Sequence, residues 1–574
     1  MLFAQSISPA LAATAANTLT VNANQVLRPV THVASGSLYG LATASKPAAS
    51  KIAPIKPNTF VQMPQGGKQQ GTGDISVVAP LAVGVGAKLV NRMVDYYAGW
   101  PYQFSWSTWT PFVTSQINAM KAASYYSSIS AYEPWNEADN TWDTANGTFN
   151  DFWVTTYRQI RALDPTKPIQ GPSFSDNISG NSRAPSMQAF LQNAKDTNTL
   201  PDIIAWHELI RASKIEGDVN TVKSIMSNLG ISSRPFAIEE YAAPAEVGLP
   251  GPLVGYVAKF ERLGIRDAEL PFWNQSGALG DLLTGQDGSP NAAYWMYKWY
   301  ADMSGNMVVT TPPAQTGIDG FAAVPSGNNK VSIIVGGCSG SCAVTVNGLN
   351  SLSLGSTVSV KIEQTVSQGR TVAVSGPSTI STTTYTPSNG TISVPITMVT
   401  NNAYLITITP GSGPTPTTGP TPTTGPTATP GAFPVAGTYY RFINRNSGKV
   451  AEVSAFSTAD GGNVQQWTWT GTSSQQWSFV SVGGGYYNVI NRNSGKCLDV
   501  NGVSTADGAN VQQWTCGSGT NQRWQPVAVG SYYELKVQHS GKALDVNGCG
   551  TADGVNVQQW TWLSNNCQQW QIVP

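Results

Sequence analysis

Residues Ser128 to Asp139 read SISAYEPWNEAD, and about one hundred positions later Pro235 to Ala243 read PFAIEEYAA. Each is a short strand-like run that ends in carboxylates, Glu137 after Trp135 and Asn136 in the first, Glu239 and Glu240 in the second. Around them, from Val30 to Gly305, strand-like stretches alternate with helix-like ones, the order of βα units and a parallel sheet. Strand ends fall near Leu38, Val61, Val90, Glu137, Pro172, His207, Glu240 and Trp273. One helix is legible by itself: Phe149, Phe152, Trp153, Tyr157 and Ile160 keep helical spacing until Asp164-Pro165 stops them. Eight such units predict a (β/α)8 barrel, whose strands present their carboxyl ends to the active-site mouth. A lone glutamate at a strand end is usually solvated. Two of them three units apart can face each other, which is the arrangement that paired-carboxylate cleavage of glycosidic bonds requires.

Working outward, Met307 to Pro410 shows short Val-, Thr- and Ser-rich alternating runs with Gly, Asn and Pro between them, and predicts a β-sandwich over 306–410. The segment 411–434 repeats Pro, Thr and Gly with nothing large to bury and reads as an extended linker. After it, 435–574 contains three copies of one unit, marked by NVQQW at Asn463, Asn510 and Asn556 with offsets of 47 and 46 residues. The same spacing recovers Trp477, Trp524 and Trp570, the acidic Glu452, Asp499 and Asp545, and an Ala-Asp-Gly turn at Asp460, Asp507 and Asp553. A threefold repeat of short β segments predicts a β-trefoil, because one unit alone cannot bury its apolar face. At the other end, 1–29 reads as a truncated or misassigned signal segment, apolar and rich in small residues but without a basic start.

Composition narrows the partners. The 32 basic and 32 acidic side chains cancel and no run of like charge occurs, which argues against nucleic acid and an anionic membrane surface. The 18 Trp and 21 Tyr among many small polar residues suit uncharged rings such as sugars. Six Cys fall into sequence-local pairs, Cys338/Cys342, Cys497/Cys516 and Cys549/Cys567, favouring disulfides and an oxidising compartment. Zinc is the other reading of such spacing, but the chain has only three His and none beside these Cys. No segment reaches the roughly 18 to 20 apolar residues of a membrane span. The reading is a secreted, extracellular protein without a metal or cofactor.

With WNEAD followed by Phe152-Trp153, Tyr157, Asp164-Pro165 and Gly171-Pro172, then DIIAWH at Asp202 to His207, Glu240-Tyr241 and Trp273, the stretch from Val30 to Gly305 resembles the large clan of retaining (β/α)8 glycosidases, most closely glycoside hydrolase family 39. The resemblance implies Glu137 as general acid/base and Glu240 as nucleophile, with Asn136, His207, Trp273 and Tyr241 around the substrate. Glu240 is preferred to Glu239 because the clan's nucleophile precedes an aromatic or small residue, and successive strand residues should point to opposite faces. Two departures stand out: Ala138 replaces the usual proline after Asn-Glu, and Leu209 stands where a Tyr often touches the nucleophile, so another group must orient Glu240. Arg92 and Asp95 either bind hydroxyls or form a structural salt bridge. Glu133 and Glu208 read as solvated or supporting carboxylates. The aromatics from Tyr96 to Trp109 read as packing or as a cleft wall.

The last part resembles ricin-type trefoil lectins, carbohydrate-binding module family 13. That resemblance implies that the Gln-x-Trp residues (Gln465/Trp467, Gln512/Trp514, Gln558/Trp560) mainly build the core and that Asp499, Asp545 and, with a longer arm, Glu452 contact sugar. Thr470, Gly517 and Leu563 replace the usual polar or aromatic partners and weaken that expectation. Together these readings describe a glycoside hydrolase acting on xylose-, arabinose- or galactose-containing polysaccharide. The rival is a non-catalytic adhesin on a degenerate barrel; no Gly-x-Ser-x-Gly elbow supports an esterase.

Overall fold

The computed structural model describes residues 17–175, 178–411, 438–529 and 532–573. They fall into two compact units, Met1–Pro416 and Thr417–Pro574. The first sixteen residues of the expected leader and nearly all of the expected linker lie outside the described residues.

The leader reading is corrected where the chain is described. Thr18–Pro29 (β1) is a strand, with Leu19, Val21 and Ala23 turned into an apolar core. Its partners lie far along the chain: it pairs antiparallel with Asn306–Thr311 (after the barrel) and parallel with Gly340–Asn347.

Eight strands follow: Gly36–Leu38 (β2), Thr59–Gln62 (β3), Lys88–Arg92 (β4), Ile129–Glu133 (β5), Gln170–Phe174 (β6), Ile203–Glu208 (β7), Phe236–Tyr241 (β8) and Asp267–Leu270 (β9). They form one parallel sheet ordered β5-β4-β3-β2-β9-β8-β7-β6, and a parallel bridge between Tyr132 and Ile169 joins its two edges, giving a barrel-like closed sheet. Alternation sorts the side chains. Val61, Val90, Ala131, Ala205 and Ala237 fill the floor of the interior, whereas Leu89, Tyr132, Ile204 and Ile238 turn outward under the helices. The helix Phe149–Leu163 starts where Thr148 accepts a hydrogen bond from the Asp151 amide and buries the aromatic stripe read from sequence.

The β-rich segment continues with Asn306–Thr311 (β10), Asp319–Val324 (β11), Val331–Gly336 (β12), Gly340–Asn347 (β13), Val358–Thr365 (β14), Ser378–Tyr385 (β15), Ile392–Met398 (β16) and Ala403–Pro410 (β17). With β1 they make a nine-stranded sheet, β15-β14-β17-β12-β11-β10-β1-β13-β16. Side chains from both of its ends, Val358 and Val360 on one and Val394 and Ile396 on the other, enter one core, so the sheet folds over itself. It also packs on the barrel helix Pro250–Leu263, where Lys259 and Arg262 meet Asp319, each at 2.8 Å.

In the second unit Trp477, Trp524 and Trp570 are fully buried, and each indole N–H donates to a backbone carbonyl, of Ala451, Leu498 and Leu544. Asn463, Asn510 and Asn556 form a closed ring of amide hydrogen bonds, each 2.9 Å, that marks the pseudo-threefold axis. The turn acids clamp the next repeat: Asp460 accepts from the Thr515 amide and Lys496, Asp507 from Thr561 and Lys542, Asp553 from Thr468 and Lys449. The six cysteines form disulfides Cys338–Cys342, Cys497–Cys516 and Cys549–Cys567. Among the described residues no helix is long and apolar enough to cross a membrane.

Candidate active site

A cavity of about 360 Å³ opens at the carboxyl ends of the barrel strands, within the roughly 300–1,000 Å³ of ligand sites. Glu137, Glu240, Asn136, Arg92, Trp100 and Trp273 are among the residues that line it. Glu137 sits four residues beyond the end of β5 in left-handed backbone, φ 47°, a conformation rare for anything but glycine. Its amide donates to the Ser173 carbonyl at 2.8 Å and its own carbonyl caps the short helix Ala138–Thr141, so the strained turn is pinned from both sides. Trp273, beyond β9, is held by its amide to the buried Asp281 at 2.6 Å, and its ring is 44% exposed on the cavity rim.

His207 ties the two carboxylates together. Its Nδ1 lies 2.9 Å from Glu137 Oε1 and its Nε2 3.8 Å from Glu240 Oε1. The ring is fully buried and does not line the cavity, so His207 supports the acids from below instead of touching substrate. Burial lowers its affinity for a proton, but the charges of Glu240 and Glu137 outweigh that and hold its pKa up at about 9. Burial likewise works to raise Glu137, yet the hydrogen bond and charge of His207, aided by Asn140 at 2.9 Å, bring it below its ordinary value. The group that orients Glu240 in place of the missing tyrosine is Arg92, whose Nη1 donates to Glu240 Oε1 at 2.7 Å. Arg92 Nε stands 2.9 Å from Glu133 Oε1, a contact of charges without hydrogen-bond alignment. Arg92 is therefore a buried bridge between carboxylates that also lines the cavity, and Glu133, fully buried, is not solvated. Glu208 is buried too and accepts from the Trp206 indole at 2.9 Å.

Alternation fails at β8, where the sequence expected Glu239 and Glu240 on opposite faces. The β7–β8 register shifts between Trp206 and His207, and both carboxylates come within about 4 Å of His207 Nε2. They differ in depth. Glu239 is 0% exposed and accepts a hydrogen bond from Gln170, whereas Glu240 is 8% exposed and reaches the cavity. Burial, reinforced by the charge of Glu133, pushes Glu239 well above the usual carboxylate range.

Tyr241, expected beside substrate, faces the opposite way: its hydroxyl meets the Ala34 carbonyl at 2.8 Å and Tyr297 at 2.5 Å behind the sheet. Asp95 is buried and accepts from the Tyr39 and Tyr102 hydroxyls; burial pushes it up to about 7 against the pull of Arg92. Tyr39 and Tyr102 line the cavity; Tyr102 belongs to the aromatics read as packing or a cleft wall, and Tyr39 was not singled out from sequence. Asn136 donates to the Tyr102 oxygen at 3.4 Å while its Oδ1 has no hydrogen-bond partner among the described residues. Most of the Tyr96–Trp109 aromatics pack inward: Phe104 and Trp109 stack around Trp135 and Phe152.

One ligand atom from each of Glu137, His207 and Glu240 lies within 4.8 Å of the others, a spacing that a metal ion could bridge. The carboxylates already face cations, however: the Arg92 guanidinium and a histidine that keeps its proton to about pH 9.

In the trefoil, Trp467, Trp514 and Trp560 are not core, contrary to the sequence reading; the fully buried Trp477, Trp524 and Trp570 close a second Gln-x-Trp run in each repeat. Trp467 and Trp514 are 37% and 44% exposed and Trp560 is half-buried, each ring lying over the turn glycine of a neighbouring repeat, Gly554, Gly461 and Gly508. The glutamines do hydrogen-bond the expected acids: Gln465 to Glu452 at 3.1 Å, Gln512 to Asp499 at 3.0 Å and Gln558 to Asp545 at 2.9 Å. Asp499 also accepts from Asn521 and Gln522, and Glu452 from Gln475. Asp545 and Trp560 line a cavity of about 270 Å³.

The family model for the ricin-type β-trefoil lectin domain-like fold matches residues 432–514, 473–560 and 520–574. A 3-O-α-D-galactosyl-α-L-arabinofuranosidase of Bifidobacterium longum subsp. longum is 24% identical over 66% of the chain, and a 3-O-β-L-arabinopyranosyl-α-L-arabinofuranosidase of Bifidobacterium pseudocatenulatum is 26% identical over 66%. The matches cover 39% and 46% of those proteins, so the chain spans less than half the length of the curated relatives it matches. The solved structure of N2152 from Neocallimastix frontalis is 35% identical, with a TM-score of 0.64, over 69% of this chain and 100% of that one. The chain belongs to the family of N2152, is related to glycoside hydrolases, and ends in a ricin-type β-trefoil lectin domain.

Proposed function

We propose that the protein is a secreted retaining glycoside hydrolase, a (β/α)8 barrel with a β-sandwich partner, that releases arabinofuranose-containing units from arabinose- and galactose-bearing polysaccharides. The observation that carries this reading is the pair Glu137 and Glu240 on one cavity with carboxylate oxygens within 4.8 Å of each other. Such a spacing suits a nucleophile and an acid, and leaves no room for the water an inverting enzyme places between them. The names of the two arabinofuranosidase relatives support the choice of sugar.

In the first step Glu240 attacks the anomeric carbon, the bond to the leaving oxygen breaks, and Glu137 protonates that oxygen. Glu137 and His207 hold one proton between them. As Glu240 turns from carboxylate to ester it loses the charge that keeps this proton on His207, and the proton passes along the 2.9 Å hydrogen bond to Glu137, which delivers it to the leaving oxygen. In the second step water surrenders a proton to Glu137 and attacks the same carbon, freeing Glu240 with retained configuration. Asn136 Oδ1, buried and without a partner, accepts from a sugar hydroxyl beside the reacting carbon. Trp273 provides the face on which that ring stacks. The trefoil, chiefly through Asp545, holds the polymer, and the linker read at 411–434 keeps the catalytic unit near it.

The test is hydrolysis of arabinofuranosides and arabinogalactan by the wild type, Glu137→Ala and Glu240→Ala, with azide added. Activity should fall roughly 10²- to 10⁴-fold in Glu137→Ala and further in Glu240→Ala. Azide should restore turnover, with a retained glycosyl azide from the first variant and an inverted one from the second. A wild type that binds polysaccharide but cleaves nothing would establish the adhesin reading instead, and activity lost in Glu239→Ala but kept in Glu240→Ala would move the nucleophile.

A further inference from the structure

We infer that Trp100 is the platform for the sugar on the leaving-group side of the scissile bond, an inference that rests on the double-displacement reading above. Trp100 is 50% exposed and lines the same cavity as Glu137 and Glu240. It is set apart within its own segment: Phe104 and Trp109, a few residues on, bury their rings against Trp135 and Phe152. Among the described residues Trp100 has a T-shaped ring contact with Tyr102, at 5.4 Å between centroids, and half of its surface stays uncovered beside the cavity. A large apolar face left uncovered beside a polar pocket is the form a sugar-stacking surface takes.

The side of the cavity it occupies follows from strand order. Glu240 ends β8, and the adjacent strand β9 leads to Trp273. Glu137 follows β5, and the adjacent strand β4 leads to Trp100. Trp273 thus belongs to the nucleophile's side and Trp100 to the acid's side, with β2 and β3 between them. The Trp100 segment is fastened there, because Tyr102 shares a hydrogen bond with Asn136, the residue before Glu137. Since the nucleophile attacks the ring that stays and the acid protonates the oxygen that leaves, the aromatic face nearest the acid meets the departing sugar. Gln69 gives this side a polar contact: its amide is tied to the Asp95 carbonyl at 3.3 Å, and its Oε1, buried in the cavity wall, has no partner among the described residues. It is an acceptor placed for a hydroxyl of that sugar.

The experiment compares wild type, Trp100→Ala and Trp100→Phe on two substrates with the same glycone: 3-O-α-D-galactosyl-α-L-arabinofuranosyl fluoride, whose leaving group carries no ring, and the same disaccharide joined to a galactan oligosaccharide. Trp100→Ala should lose roughly tenfold in kcat/KM on the oligosaccharide, mostly through KM, and stay within about twofold of wild type on the fluoride. Trp100→Phe should recover most of the loss. Transfer of the glycosyl group from the fluoride to added galactan oligosaccharide should fall in parallel, because the acceptor uses the same platform. An equal loss on both substrates, or none on either, overturns the inference while the enzyme reading stands. A wild type inert on both substrates overturns the enzyme reading and this inference with it.

Discussion

Beneath the barrel cavity, buried carboxylates have oxygens that no hydrogen bond reaches, whereas in the trefoil the repeated acids Glu452, Asp499 and Asp545 meet side-chain amides that the repeat supplies. Glu133, Glu239 and Glu269 are all buried beneath the cavity, with oxygens that find no hydrogen bond among the described residues, and Arg92 and His207 stand among them. In the trefoil the three Asn close a ring, and Asp499 takes amide hydrogens from Gln512, Asn521 and Gln522. A scaffold gains by satisfying every polar atom. A site for proton transfer needs carboxylates whose ionisation is still open to change, and the carboxylates buried beneath the cavity form such a cluster.

The largest expected effect tests this directly. Arg92→Met leaves Glu133 and Glu240 buried without their cation and should destabilise the first unit by about 3–5 kcal/mol, with loss of activity, in a calorimetric scan alongside hydrolysis assays. Lys496→Met removes a cation of the same sign from Asp460, but that pair is exposed and Asp460 keeps the Thr515 amide and hydroxyl. Its unfolding midpoint should not move measurably. Equal shifts in the two variants would abolish the contrast.

Acidity separates the units next. A histidine held at about 9 in the fold against an ordinary 6.5 contributes stability that is complete below pH 6.5 and lost as pH rises towards 9. Asp95, held up at about 7, costs stability over the range between its ordinary 3.8 and 7, in the same direction. The trefoil acids Asp460, Asp507 and Asp553 are lowered by their lysines and by hydrogen bonds from the Thr of the next repeat, so their contribution is present above pH 3.8 and disappears on acidification. The midpoint of the barrel transition should therefore fall by several degrees from pH 6.5 to 9 while that of the trefoil stays level, and the trefoil should weaken below pH 4. His207→Gln should flatten the alkaline slope; a slope that survives this change would remove His207 as its source.

What the sequence made legible follows the same division. Glu137 and Glu240 could be found because barrel function gathers at strand ends, and helix Phe149–Leu163 because its apolar period is local. Arg92 could be placed but not assigned, since its partners lie on β5 and β8 and only the closed sheet brings them together. The alternation rule failed at Glu239 and Glu240 because a register shift is set by neighbouring strands, not by the strand's own residues. The strand Thr18–Pro29 alternates visibly, yet its pairing lies some three hundred positions away. In the trefoil the resemblance misled for Trp467, Trp514 and Trp560: they repeat as regularly as the buried Trp477, Trp524 and Trp570, and periodicity could not tell which set faces inward.

That last distinction carries the smallest expected effect. Asp499 is held by three amide donors, whereas Asp545 takes its hydrogen bonds from Gln558 and Gln568, and Asp545 shares its cavity with the half-buried Trp560. An acid whose oxygens are already engaged has little left to offer vicinal hydroxyls; one with capacity to spare beside an indole face has both contacts a sugar uses. Asp545→Ala should weaken binding of the intact chain to arabinogalactan roughly tenfold in affinity electrophoresis, and Asp499→Ala by far less. Asp499→Ala should instead lower the midpoint of the trefoil transition, because it removes the acceptor that three amides share. If Asp499→Ala abolishes binding and Asp545→Ala does not, then those amides orient the carboxylate for sugar instead of occupying it, and the line between satisfied scaffold and open site would have to be drawn inside the trefoil as well.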